Sequence, residues 1–144
     1  MTERQKFSTF YLDGLLFGIE VEKIQEVLNY QEITPVPLAP PVVLGLINLR
    51  GQIITAVDLR QRLGFHKPAD SRLSINIVVR TNVEALSLLV DGVGEVVEVG
   101  EETFAPPPET MDPKSRDLIR GVHKLSGRLM HILSMERAID LAST

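Results

Sequence analysis

Three histidines, His66, His123 and His131, are the side chains best suited to acid–base or metal chemistry, because the chain contains no cysteine. That absence excludes disulfides, thiolate metal sites and a cysteine nucleophile. His66 lies in the polar segment HKPADS, where we expect a solvated side chain. His123 and His131 fall on the two strands of one predicted hairpin, without a carboxylate at metal-ligand spacing. We therefore predict no metal site, and keep a histidine pair as an alternative.

Four glutamates form the densest acidic stretch of the sequence: Glu95, Glu98, Glu101 and Glu102. A calcium loop needs alternating oxygen ligands around a central glycine, and this stretch lacks that pattern. The sequence also lacks the phosphate-binding motifs GxGxxG and GxxxxGKS/T and the nucleophile elbow GxSxG. The residues thus support neither a catalytic site nor a cofactor.

The composition predicts an ordinary folded domain. The chain has 144 residues, and its apolar content of 44% is enough for a core. Its formal charge is −4, and the acidic excess lies wholly in the second half. We expect no nucleic-acid partner, because such proteins usually present a basic face. No run approaches the roughly 20 apolar residues of a membrane span, and the start lacks a signal-peptide core, so we expect a cytoplasmic protein without direct membrane insertion.

The stretch Gly45–Gly64 reads as strand, tight turn, strand and short helix. Arg50-Gly51 supplies the turn, since glycine tolerates the positive φ that hairpin turns need. Asp58 is the expected cap of a helix over Leu59–Leu63, which ends at Gly64. One cation, Arg50, therefore lies at the tip of an otherwise apolar hairpin.

The second half of the chain repeats the first. The glycine and leucine spacing of Gly45–Gly64 recurs 76 residues later, where Ser134 is the expected cap of a helix over Met135–Leu141. A second match, at an offset of 69, relates residues 21–27 to 90–96. We predict two small barrel-like units of about five strands each, at approximately 15–71 and 84–141. Such small units bury little core alone, so we expect them to pack on each other or to exchange terminal strands.

The repeat singles out candidate binding residues. Ile24 and Val27 are equivalent to Val93 and Val96, and a seam lined by these residues would suit an amphipathic helix. Their alternative role is core packing. Arg50 has Ser126 as its repeat equivalent, so the turn itself requires no cation. It is either a solvated turn residue or a contact residue beside an apolar groove, where arginine is enriched.

Four segments resemble the CheW domain of bacterial chemotaxis. They read VEKIQEVLNYQEITPVP, VLGLINLRGQIITAVDLRQRLG, LLVDGVGEVVEV with PPPE, and LIRGVHKLSGRLMHILSMERAI. The resemblance extends over Phe7–Leu141. It implies a mainly β fold of two five-stranded SH3-like barrels packed on each other, with short helices, a hydrophobic groove between them and no catalysis.

The resemblance also implies partners. Members of the family couple the cytoplasmic tips of methyl-accepting chemoreceptors to the regulatory domain of the histidine kinase CheA, at the inner face of the membrane. The positions that match receptor-coupling residues are Ile24, Glu26, Val27, Gly45, Arg50, Val93, Val96 and Gly121. For the kinase or array contact, the loop after Pro108 is one candidate. It carries Thr110 and Met111 where a larger apolar residue is expected.

Two alternatives remain beside this hypothesis. One is a CheW-like adaptor of another chemosensory pathway, such as twitching motility or development. The other is a small metal-dependent enzyme on a β-barrel, which would bind its metal at His123 or His131.

Overall fold

The computed structural model describes residues 4–65, 74–82 and 84–140, and β-strands dominate this part of the chain. The strands are β1 (Gln5–Leu12), β2 (Leu15–Glu20), β3 (Ile24–Leu28), β4 (Val43–Leu49), β5 (Gln52–Asp58), β6 (Ile75–Arg80), β7 (Ala85–Val90), β8 (Gly92–Val99), β9 (Phe104–Ala105), β10 (Ile119–Leu125) and β11 (Arg128–Leu133). The helices are α1 (Leu59–Leu63), α2 (Pro113–Arg116) and α3 (Met135–Ala138), with 3-10 turns at Val21–Lys23 and Glu101–Thr103. Within the described ranges no helix is long and apolar enough to span a bilayer. The predicted mainly β fold with short helices is confirmed.

The strands form two sheets built on one plan. The larger sheet has the order β8-β1-β2-β11-β10-β9, and the smaller sheet has the order β3-β6-β7-β5-β4. Neighbours pair antiparallel, except that β2 is parallel to β11 and β5 is parallel to β7. Each strand of the smaller sheet thus has an equivalent in the larger one. The short β9, which pairs with β10, corresponds to an isolated bridge between Thr34 and Leu46.

The internal repeat is divided between the two sheets. Strands β1 to β5 form one copy and β6 to β11 form the other, and each sheet combines the first two strands of one copy with the later strands of the other. Strand pairing therefore divides the chain differently from the predicted ranges 15–71 and 84–141. Residues 15–20 belong to the larger sheet, whereas residues 75–90 belong to the smaller one. Strand pairing does not test whether the predicted ranges are folding units, so in that sense they stay a prediction.

The stretch Gly45–Gly64 has the predicted conformation. Arg50 and Gly51 connect β4 to β5 with φ angles of 53° and 89°, as a type I′ turn requires. The Asp58 carboxylate caps α1 by accepting a hydrogen bond from the Gln61 N–H at 3.2 Å. Gly64 ends the helix with a φ of 87°.

The second copy keeps the elements but not the cap. β10, β11 and α3 follow β4, β5 and α1 at the expected offset of 76 residues. Ser134 precedes α3, yet its side chain makes no capping hydrogen bond, so the capping prediction is wrong. The helix ends at Ala138, and Ile139 is its C-cap residue. The predicted end at Leu141 lies outside the described residues.

The largest hydrophobic cluster joins the two sheets. Phe10 and Phe17 of the larger sheet and Ile77 and Leu88 of the smaller sheet belong to it, each at most 2% exposed. Two smaller clusters each lie within one sheet. Because the sheets share their main core, each buries its inner face on the other.

Both sheets curl so that their outer strands approach each other. In the larger sheet β8 and β9 are the two edge strands, and the short 3-10 turn Glu101–Thr103 connects them. In the smaller sheet Arg50, which follows β4, pairs with Glu26 on β3. Among the described residues, backbone pairing joins neither β8 to β9 nor β3 to β4. The predicted pair of barrels is therefore realised as two open, curled sheets of six and five strands.

Candidate protein-binding site

The edge strands β3 and β8 carry three exposed valines. Val27 on β3 is 44% exposed, and Val93 and Val96 on β8 are 42% and 59% exposed. Core packing does not explain side chains this accessible. Ile24 differs, because it is half-buried and packs against the core that joins the sheets. Three of the four predicted aliphatic contacts are thus available to a partner, whereas Ile24 has a structural role as well.

A β-bulge in each edge strand places these residues on one face. Residues three apart in a regular strand point to opposite sides, but the register of β3 shifts so that Ile24 lies opposite Val79 and Val27 lies opposite Ile77. Since Ile77 and Val79 both belong to the core between the sheets, Ile24 and Val27 lie on that face too.

A β-bulge with the same effect occurs on β8. Val93 lies opposite Phe10, and Val96 lies opposite Ser8, with the register shift between those two positions of β1. Ser8 and Phe10 share a face of β1 because they are two residues apart, and Phe10 belongs to the core between the sheets. The two valines of β8 therefore border the same inter-sheet core as Ile24 and Val27, each pair at the edge of its own sheet.

Glu26 and Arg50 lie on the other side of β3. Glu26 is opposite Val78, which packs in the separate core of the smaller sheet. The Arg50 guanidinium pairs with the Glu26 carboxylate, and the two side chains are 67% and 23% exposed. The predicted receptor contacts thus fall into two groups, aliphatic residues on one face of β3 and this ion pair on the other.

Gly45 and Gly121 have a packing role at equivalent places. Gly45 is buried with a φ of 151°, and a side chain there would strike the Thr34 carbonyl. At Gly121 a side chain would strike the Phe104 ring and the Ala105 carbonyl. Each glycine lies at a register shift of its hairpin, where a neighbouring segment crosses closely. Their predicted contact with a receptor stays a prediction.

Sequence reasoning missed a charged cluster at the passage from β7 to β8. The Asp91 carboxylate accepts hydrogen bonds from Arg60 Nε at 2.9 Å and Nη2 at 2.5 Å, and from the Asp13 N–H at 2.8 Å. Burial favours a higher pKa for Asp91, but the bonds from Arg60 and Asp13 outweigh it and hold the pKa below its usual value. The same hydrogen bonding raises the pKa of Arg60.

This cluster ties three elements together: helix α1, the β1–β2 turn and the start of β8. Its location explains how β8 is held at the seam, since Asp91 immediately precedes that strand. A charged cluster also lies where the chain first passes from one sheet to the other, between β2 and β3. There the buried Glu20 carboxylate lies 3.3 Å from Lys23 Nζ and 3.0 Å from Arg120 Nη1. The sequence signal for the cluster at Asp91 was the Asp91-Gly92 pair, which indicated only a turn.

The two histidines of the last hairpin do not form a metal pair. His123 lies opposite Met130, and His131 lies opposite Val122, so the two imidazoles are on opposite faces of the sheet. His123 Nδ1 bonds the Thr103 hydroxyl at 2.7 Å, and His131 Nδ1 bonds the Leu16 carbonyl at 2.8 Å. Within the described ranges, no group of three potential ligand residues could hold a metal ion. His66 lies outside those ranges.

Thr110 and Met111 line a cavity whose lining includes none of the four aliphatic residues Ile24, Val27, Val93 and Val96. Thr110 is exposed and Met111 is half-buried, and this cavity lies beside β2 and β11. Their location is compatible with a contact separate from the seam, and their role in kinase binding stays a prediction.

Comparison with known proteins decides the family. The family model described as CheW-like domain matches residues 6–143. The chain belongs to the CheW family. The chemotaxis protein CheW of Rhizobium meliloti (strain 1021) is 30% identical over 120 residues, which cover 83% of this chain and 77% of the relative. Protein FrzA of Myxococcus xanthus is 25% identical over 143 residues, 96% of this chain and 87% of the relative.

A solved CheW structure shows the same fold. The crystal structure of scaffolding protein TtCheW from Thermoanaerobacter tengcongensis matches with a TM-score of 0.85 and 30% sequence identity. The match covers 99% of this chain and 97% of the other. The resemblance to CheW that the sequence motifs indicated is therefore confirmed, together with the two-part β fold that it implied.

Proposed function

We propose that this CheW-family chain is a non-catalytic adaptor that couples the cytoplasmic tip of a methyl-accepting chemoreceptor to the regulatory domain of the histidine kinase CheA. The observation that carries the proposal is the seam: two bulged edge strands present Val27, Val93 and Val96 beside the core shared by both sheets. The names of the relatives, a chemotaxis protein and a scaffolding protein, support the same role.

The seam suits a helical partner. A helix that lays an apolar stripe between β3 and β8 would cover the valines of both strands, and helix-in-groove binding uses such aliphatic anchors. The 3-10 turn Val21–Lys23 leads from β2 of the larger sheet into β3 of the smaller one, and Asp91 leads from β7 of the smaller sheet into β8 of the larger one. A receptor helix at the seam would thus bias how the two sheets, and any kinase bound to them, are arranged. Such coupling is allosteric and non-covalent.

We propose no catalysis, metal or cofactor for this chain. The imidazoles of His123 and His131 lie on opposite faces of a sheet, and each makes a hydrogen bond within the fold. Its place in the cell would be the cytoplasm at the inner face of the membrane, reached through the receptor complex. For the kinase we propose a surface distinct from the seam, with Thr110 and Met111 as candidates.

The test is binding of the purified chain to a receptor cytoplasmic fragment and to CheA, measured separately. We expect micromolar or tighter binding of both, and Val96→Asp should weaken receptor binding by at least about tenfold, since a buried charge in an apolar contact is costly. Val36, a 39% exposed valine in the loop before β4, supplies the matched control Val36→Asp, which should leave receptor binding unchanged. Absence of binding to either partner, by the folded wild-type chain, would refute the adaptor role.

A second candidate function is that of an adaptor in a different chemosensory pathway, such as one for twitching motility or development. The match to Protein FrzA favours it, because that relative carries a different name yet aligns over 96% of this chain. Co-purification from the native cell separates the two. The kinase that accompanies the tagged chain identifies the pathway, and a CheA of the swimming pathway would exclude this second function.

A further inference from the structure

A cavity of about 330 Å³ lies beside β2 and β11, on the larger sheet. Its walls are mainly aromatic and aliphatic, with Leu15, Phe17, Phe65, Met111 and Ile119 among the lining residues, and His131 also lines it. We call it the His131 cavity. Small-molecule sites are typically concave spaces of roughly this size, with apolar walls and a few polar groups that orient the ligand.

His131 supplies an oriented hydrogen-bonding group at this cavity. The side chain is 7% exposed, and its ring packs against Phe17 with centroids 5.3 Å apart. Because the Leu16 carbonyl can only accept, the hydrogen bond at 2.8 Å requires the proton to be on Nδ1. With the proton on Nδ1, the second ring nitrogen, Nε2, can accept a hydrogen bond from a ligand.

The neighbouring polar groups are either hydrogen-bonded or belong to exposed residues. The Ser115 hydroxyl donates to the Leu63 carbonyl at 2.5 Å, and the Asp112 carboxylate accepts from the Lys114 N–H at 2.9 Å. The Thr110 hydroxyl belongs to an exposed residue at the rim. The cavity therefore combines apolar walls with one buried and oriented imidazole, that of His131.

We propose that the His131 cavity binds a small planar aromatic molecule that carries a single N–H or O–H donor, of the indole or phenol class. The ring would contact Phe17, Phe65 and Met111, and its donor would bond His131 Nε2. This geometry disfavours a ring without a donor, because Nε2 would then lose its access to water without a replacement partner. The inference does not rest on the seam or its receptor contact, although Thr110 and Met111, the candidates for kinase binding, also line this cavity.

The probe is indole, with indene as a control of the same shape that lacks the N–H. We expect indole to bind the full chain with a Kd on the order of 1 mM, which is reasonable for a ligand of nine heavy atoms. Indene should bind about tenfold more weakly, the usual effect of one lost hydrogen bond. Two-dimensional NMR should show an upfield shift of His131 Nε2 with indole only, together with shifts of the Met111 and Ile119 methyl groups.

Two variants test the assignment further. Met111→Trp should fill the cavity and abolish the indole shifts. His131→Phe should remove the preference for indole over indene. His123→Phe is the matched control, because His123 is equally buried but does not line this cavity, and it should bind indole like the wild type.

The NMR experiment on the wild type keeps the proposal testable if a variant fails to fold. Equal binding of indole and indene would overturn the proposal, as would indole shifts confined to residues away from the cavity. The absence of any shift at about 5 mM indole, several times the expected Kd, would also overturn it.

Discussion

Arg50 at the tip of the β4–β5 hairpin pairs with Glu26 on β3, although three strands of the smaller sheet lie between β4 and β3. The contact brings the two edges of the curled sheet together. It contributes little stability, because ion pairs as exposed as this one are worth about 0–1 kcal/mol. Arg50 also has a φ of 53°, a left-handed conformation that Asn or Gly adopts at lower cost. Stability alone therefore does not explain an arginine at this turn.

Arg50→Asn separates the two roles of this residue. Asn tolerates the left-handed turn, so the free energy of unfolding should stay within about 0.5 kcal/mol of the wild type or increase. Receptor binding should nevertheless weaken about three- to tenfold if Arg50 contacts the partner. Chemical denaturation and titration with a receptor fragment measure the two quantities. Unchanged receptor affinity in a stable Arg50→Asn protein would show that the cation has no part in binding.

Gly45 and Gly121 should be required by the fold itself. Gly45→Ala combines a clash with the Thr34 carbonyl and a positive φ, and Gly121→Ala forces the Phe104 ring to move. We expect each change to lower the free energy of unfolding by about 2–4 kcal/mol. Thermal and urea denaturation provide the measurement.

The chain offers a matched control for each glycine. Gly14 has a positive φ but open space around it, so Gly14→Ala should cost only about 1 kcal/mol. Gly92 also has open space and lacks a positive φ, so Gly92→Ala should change stability by less than about 0.5 kcal/mol. If Gly45→Ala proved as mild as Gly14→Ala, the close crossing at Thr34 would not constrain the fold.

The Asp91 cluster predicts a dependence of stability on acid pH. The folded-state pKa of Asp91 is lowered from the ordinary 3.8. Its stabilisation is therefore present above that pH and is lost as the pH falls through the lower folded-state value. Asp91→Asn should lower the free energy of unfolding by about 1–2 kcal/mol at pH 7. The difference from the wild type should shrink once the pH falls below 3.8.

Urea denaturation from pH 7 to pH 3 tests this prediction. Glu95→Gln, which neutralises an exposed carboxylate on β8, is the control, and it should change stability by less than about 0.5 kcal/mol. A difference between Asp91→Asn and the wild type that stayed constant over the whole pH range would contradict the assigned ionic role of Asp91.

His123 predicts a second pH dependence, at higher pH. Burial lowers the pKa of His123 below 6.5, and Arg120 lowers it further, while Glu102 acts in the opposite direction. The native state therefore favours the neutral ring. The contribution of His123 to the free energy of unfolding is fully present above pH 6.5 and falls as the pH drops below that value. NMR titration of the His123 ring should give a midpoint below 6.5, and His123→Gln should reduce the slope of stability against pH in this range. A midpoint above 6.5 would show that the imidazolium is stabilised instead.

The hairpin and helix of Gly45–Gly64 could be predicted because their signals are local. Asp58 and Gly64 act on residues next to them in the chain, and Arg50-Gly51 sets a turn by its own backbone preference. The repeat and the CheW motifs extended this prediction to the whole fold. Capping by Ser134 was mispredicted, because residue type alone does not determine whether a hydroxyl reaches the helix N–H groups.

The parts that could not be predicted depend on long-range register. The bulges that place Val27 and Val96 on the inner faces of their sheets become visible only from the pairing with β6 and β1. An exchange of terminal strands was one of the expectations from the repeat, but which strands each sheet takes from the other copy follows only from pairing. The Arg60–Asp91 contact joins residues 31 positions apart, and no local pattern indicated it.

Reconstituted kinase activity tests the central claim most directly. CheA autophosphorylation is measured with receptor-containing membranes and the purified chain, either wild type or Val96→Asp, after denaturation has shown that the variant is folded. The adaptor account predicts that receptor-dependent stimulation of CheA requires the wild-type chain and is lost with Val96→Asp, while direct binding of the variant to CheA persists. Stimulation that does not depend on the chain, or that Val96→Asp supports as well as the wild type, would contradict it.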